Sequence, residues 1–166
     1  MSFEAPTIDW AALLPVLVIL GAGVLGVLVE ALTPRRVRPV LQPVLALLAV
    51  LVSGVALAMR WNLLASTRNG QVAGGIVEDR VSIGAQGILL VIGLLAVMVM
   101  ADRTSAGDGA FAAQAADRPG SAEEAESLRA GWTTTEVYPL TLFSLGGMML
   151  FPAANDLIVL FVTLEM

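Results

Sequence analysis

Cysteine, histidine and lysine are all missing from these 166 residues. Without cysteine there are no disulfide frameworks, no iron–sulfur ligation and no thiol catalysis. Without histidine the commonest metal ligand and the commonest general base are gone. All nine cations are arginines and the formal net charge is −5. That balance excludes a nucleic-acid partner, which requires a basic face. Charged residues make up 14% of the chain, well below the roughly 25% usual for a soluble domain. What is abundant instead is apolar: 57% of residues are hydrophobic and the mean hydropathy is +0.85. This composition excludes an ordinary globular enzyme and indicates a membrane protein, whole or in part.

A helix crosses a bilayer core of about 30 Å with roughly 20 apolar residues. Leu13 to Val29 is uncharged and continues through Glu30 to Leu32, Val40 to Met59 is uncharged throughout, and Val81 to Ala101 is a third such run. Val137 to Phe151 is a shorter fourth. A fifth apolar segment follows Asn155-Asp156, a good helix start after Pro152, and runs from Leu157 to Leu164 before Glu165-Met166. The expected fold is therefore an all-α membrane protein, a multi-pass transmembrane helix bundle with four spans plus the start of a fifth. Because the fifth helix stops part-way, the chain reads as the N-terminal portion of a longer protein. The residues before the first run are acidic and no small-residue cleavage site follows it, so this run is a retained anchor.

Arginine counts in the loops set the orientation. The turn from Thr33 to Pro39 carries Arg35, Arg36 and Arg38, whereas the N-terminal tail carries none. Summed by side, six arginines fall on one face and three on the other, which puts the N-terminus outside and the Arg35 turn in the cytoplasm. The chain divides into a three-helix transmembrane region (1–101), a cytoplasmic loop (102–136), and a final segment (137–166) with the fourth helix and the start of the fifth. The 102–136 loop holds seven acids against three arginines. Its composition predicts a solvated, partly disordered segment.

Gly21-Ala22-Gly23-Val24-Leu25-Gly26 spells a dinucleotide-binding fingerprint inside an apolar helix, with no preceding strand and no following acid. The expected role is close helix approach, with Ala22 and Gly26 as a small-xxx-small pair. Glu30, near the end of the first helix, is expected to reach headgroup water or pair with Arg35 or Arg36. Asp156 caps a helix start, where its charge suits the dipole. Trp132 and Tyr138 suit an interfacial aromatic belt, and Met148-Met149 suit lipid or helix packing. Glu165 stands apart. Nine residues beyond Asp156, it lies about 13 Å into the membrane, where a carboxylate costs roughly 2.5–3.5 kcal/mol. Such a group persists by pairing, by facing water or by carrying protons, and a functional role is favoured for it over a structural acid bonded to a neighbouring helix. No other set of residues is equipped for covalent or redox chemistry.

The run from Tyr138-Pro139-Leu140-Thr141-Leu142-Phe143 through Ala153-Ala154-Asn155-Asp156-Leu157 to Leu160-Phe161-Val162-Thr163-Leu164-Glu165 resembles the fourth and fifth helices of the antiporter-like membrane subunits of respiratory complex I, most closely those of the N type. Leu14-Pro15 and Glu30 in the first helix also look like that family. The specific resemblance covers roughly the last 30 residues and the first helix, while the second and third helices match as generic spans. Pro152 and the length of the 102–136 loop depart from the pattern.

The resemblance implies a bundle of about fourteen helices in which the buried glutamate of the fifth helix, here Glu165, pairs with a later lysine in a proton relay. It implies a proton-translocating subunit of NADH–quinone oxidoreductase in the bacterial inner membrane. Such a subunit serves the enzyme as a translocase without redox chemistry of its own. No cofactor and no metal would be bound by this chain. NADH, FMN, iron–sulfur clusters and quinone belong to partner subunits. The expected partners are the other membrane subunits, the peripheral redox arm and the lipid bilayer. The alternatives are a subunit of a cation/proton antiporter of the same superfamily and an inactive truncated fragment.

Overall fold

The computed structural model describes residues 8–64, 70–102, 118, 120–129 and 134–166. Three long apolar helices lead the fold: α1 (Trp10–Leu32), α2 (Arg38–Leu64) and α3 (Arg80–Ala101). A short antiparallel hairpin of β1 (Gly70–Ala73) and β2 (Ile76–Glu78) separates α2 from α3. Then come α4 (Ala122–Arg129), α5 (Val137–Leu150), a 3-10 turn (Phe151–Ala153) and α6 (Leu157–Glu165). The helices fall on the runs expected from hydropathy, and the first three are long and apolar enough to cross a membrane. Neither hydropathy nor an alternating pattern signals this hairpin in the sequence. Of the 102–136 loop, α4 is helical, and the expectation of disorder falls mostly on residues outside those described, as does the placement of Trp132. On α4 the Ser121 hydroxyl hydrogen-bonds the Glu123 carboxyl and lowers its pKa below the usual carboxylate range.

α1 packs against α2 and α5, and α3 closes the circuit by packing against both α2 and α5. The result is a four-helix ring, α1–α2–α3–α5, with α6 resting outside it on α5 and the 3-10 turn. Ile19, Ala46, Val50, Leu90, Val97, Leu142, Leu145 and Met149 fill the centre of the ring. The glycine-rich stretch of α1 explains how closely α1 and α5 approach. A Cβ on Gly23 would meet the Phe143 ring at 3.0 Å, and one on Gly26 would sit 3.0 Å from Pro139 Cβ and 3.2 Å from Gln42 Oε1. Gly21 faces open space. The fingerprint is thus a packing stripe, as expected, with Gly23 sharing the role given to Ala22 and Gly26.

Polar side chains within the ring donate across helix boundaries to main-chain carbonyls. Gln42 of α2 donates to Gly26 O (2.8 Å) and Ser53 of α2 to Pro15 O (2.8 Å), both on α1. Gln86 of α3 donates to Met149 O (3.0 Å), and Tyr138 of α5 donates to Met100 O (2.9 Å). Met149 and Met100 lie in the last turns of their helices, where carbonyls lack an intrahelical partner. Tyr138 is therefore buried, at 8% exposure, and not part of an interfacial belt as its residue type suggested. Its hydroxyl finds a carbonyl where the belt reading supposed water.

A branched side chain at Gly26 overpacks the α1–α5 contact, so Gly26→Val should lower stability by about 1–3 kcal/mol. Gly21→Ala, into open space, should be neutral or slightly stabilising. Thermal unfolding of the two variants in detergent checks the contrast.

Candidate functional site

α6 starts where the hairpin meets the end of α5. Asn155 N donates to Gly75 O (2.8 Å), and Ile76 bridges Ala154. Asp156 then caps α6 by accepting from Val159 N at 2.7 Å, as its position predicted. A Cβ on Gly75 would fall 2.5 Å from Asp156 Oδ2, so the hairpin turn touches this cap directly. From there α6 runs back along α5. Gly147 lets it close in: a Cβ there would sit 3.1 Å from Thr163 O.

Glu165 is the last residue of α6, about 13 Å along the axis from its Asp156 cap. It is exposed, and among the described residues it makes no hydrogen bond or ion pair. Thr163, two residues earlier, is buried against α5 and donates to Leu160 O at 2.8 Å. Beside this end of α6, between α3 and α5, lies an apolar cavity of about 660 Å³ lined by Ile88, Leu89, Ser144, Met148, Thr163 and Met166, among others. Among the described residues no group of acids is placed to hold a metal ion. The structure places Glu165 at the end of α6 as an exposed carboxylate. It brings no second ionisable group to it.

The structure assembles two charged clusters elsewhere. At the end of the ring where α1 finishes, the Glu30 carboxylate accepts from the Thr135 hydroxyl and from Gln42 Nε2 (3.1 Å), with Arg38 Nη1 at 3.7 Å. The partner expected for Glu30 was Arg35 or Arg36, and both of those are exposed. Arg38 takes the place because α1 and α2 fold back about Pro34, and equal steps on either side set Glu30 against Arg38 and Gly26 against Gln42. At the opposite end, Arg60 of α2 donates through Nε to Glu78 Oε1 (2.9 Å) and through Nη2 to Glu78 Oε2, and it also reaches Asp9 Oδ2 at 3.1 Å. Asp9 caps α1 with its other oxygen, which accepts from Ala11 N (3.0 Å) and Ala12 N (3.2 Å). Arg60 thus ties the starts of α1 and α3 together through the hairpin. Sequence reasoning missed this triad, because the pairing of Gly70 with Glu78 that positions it left no periodicity to read.

No protein-family model matches the chain. Over 99% of its length it is 47% identical to NADH-quinone oxidoreductase subunit N of Beutenbergia cavernae and 44% identical to that of Acidothermus cellulolyticus. Over 98% it is 46% identical to the subunit of Saccharopolyspora erythraea. The chain is a homologue of part of subunit N. It spans about a third of the length of these curated relatives. With its long apolar helices, the subunit N relationship makes it a membrane protein.

Loss of Arg60 leaves the Glu78 side chain, 11% exposed, without its cation. Arg60→Met should therefore cost about 2 kcal/mol, between the values for exposed and fully buried pairs. Limited proteolysis should then cut first in the 60–80 segment, and unchanged cleavage would show that the hairpin holds without the triad.

Proposed function

We propose that the chain acts within subunit N of NADH–quinone oxidoreductase as part of a proton-translocating membrane subunit of complex I, and that Glu165 is its proton-relay carboxylate. The observation that carries the reading is the identity of 47% over 99% of the chain to a protein named as that subunit, with a lone acid nine residues beyond the cap of its α6. A carboxylate at that depth is costly in lipid and is retained where it pairs, meets water or carries protons. The relatives' names favour complex I over a stand-alone antiporter.

The chemistry divides accordingly. NADH, FMN, iron–sulfur clusters and quinone are handled by partner subunits, and this chain contributes a proton-holding group within a low-dielectric bundle. Its partners are the other membrane subunits and the peripheral redox arm, in a bacterial inner membrane. The distribution of arginine supports an N-terminus on the outside. The short 33–39 turn carries Arg35, Arg36 and Arg38. Short loops rich in arginine concentrate on the cytoplasmic side.

In the full-length subunit within assembled complex I, Glu165→Gln should leave assembly intact and reduce proton translocation by on the order of tenfold or more. Proton uptake per NADH oxidised, measured in reconstituted vesicles, is the readout. A variant with unchanged rate and stoichiometry would remove Glu165 from the proton path.

A further inference from the structure

One charged group in the ring has no part in the reading above, yet its carboxylate is bonded to two separate segments of the bundle. Glu30 is held from two directions: by Gln42 and Arg38 of α2, and by the hydroxyl of Thr135, two residues before α5. Its side chain is 15% exposed, Gln42 is 1% exposed and Thr135 4%. Arg38 is itself fixed, its Nε donating to Thr33 O at 2.7 Å. Gln42 is anchored a second time on Gly26 O. The carboxylate therefore sits in a rigid cradle, and the one segment it adds to that cradle is the start of α5.

From that start α5 packs closely along α1. Pro139 lies against Gly26 and Phe143 against Gly23, so a displacement at the start of α5 is felt along the whole seam. The far half of α5 carries α6: Gly147 accepts the backbone of Thr163 and the Met166 side chain at close range. The chain of contacts runs without a gap from Glu30 to the end of the helix that bears Glu165. We propose that Glu30 is a positioning residue: by clamping Thr135 it sets the height of α5 along α1, and through the α5–α6 contact it sets the depth of Glu165. This rests on the proton-relay reading of Glu165. Glu30 does not touch the relay and exchanges no proton with it.

The reason a carboxylate is needed is geometric. Thr135, Gln42 and Arg38 all present donors, and only an acceptor with two free oxygens can receive them together. An amide at this position would turn an NH2 group toward one of these donors.

The test uses the full-length subunit in assembled complex I, with Glu30→Gln, Thr135→Val and the double variant. Thr135→Val removes the clamp without touching α1 or α2, and so serves if Glu30→Gln disturbs assembly. Two quantities are read: hydrogen–deuterium exchange of the peptide spanning 134–142, and protons translocated per NADH oxidised. The clamp predicts faster exchange at the start of α5 in each variant. It also predicts a proton yield lowered about tenfold at unchanged NADH oxidation, since a displacement near 1 Å costs up to roughly 100-fold in a positioned reaction. The double variant should be no worse than either single one. Unchanged exchange overturns the clamp whatever the activity. Faster exchange with a full proton yield, where Glu165→Gln lowers that yield, overturns its link to Glu165. If Glu165→Gln has no effect while the clamp variants lower the yield, the relay assignment fails and Glu30 acts on another group.

Discussion

No water stands ready in the middle of a bilayer to accept a stray hydrogen bond, so each polar group in a membrane-spanning segment has to find its partner in the protein. This requirement shapes the ring more than any other. Apart from the cluster around Glu30, its buried polar side chains reach for main-chain carbonyls. Gln42, Ser53, Gln86 and Tyr138 each cross to a neighbouring helix and end on a main-chain carbonyl. A carbonyl can accept a second bond without giving up its helical one, so these contacts tie helices together without unwinding them. Two of them also satisfy carbonyls at helix ends that would otherwise be orphaned.

The same constraint explains what the sequence made legible. Apolar runs of transmembrane length located α1, α2, α3 and α5, because in lipid hydrophobicity and helix formation are the same demand. Asp156 announced α6 through its capping chemistry, and the glycines of α1 announced a close helix contact. Gln42 could have been found too, since a glutamine in an uncharged run needs a partner and the turn at Pro34 sets it opposite Gly26. Less could be read where pairing depends on tertiary placement. Arg38 was the partner of Glu30 in place of its nearer neighbours Arg35 and Arg36, because helix geometry points only one of the three arginines inward. The hairpin at 70–78 is too short and too irregular in register to show an alternating pattern.

Glu165 was legible as an outlier, and the resemblance around it agrees with the relationship to subunit N. Its surroundings were not. Depth follows from counting residues along a helix, whereas the company a residue keeps depends on how separate helices are brought together. In this structure its neighbours Thr163, Leu164 and Met166 line the apolar α3–α5–α6 cavity, while Glu165 itself is exposed.

The close packing of the ring has an electrical meaning. The ring's centre is filled by aliphatic side chains, and the described polar side chains Gln42, Ser53 and Gln86 are hydrogen-bonded to neighbouring helices. An ion entering it would give up its hydration for a medium of low permittivity, at a cost of many times the thermal energy. The described centre of the four helices is therefore a region of low permittivity, and close packing alone is enough to make it inhospitable to charge.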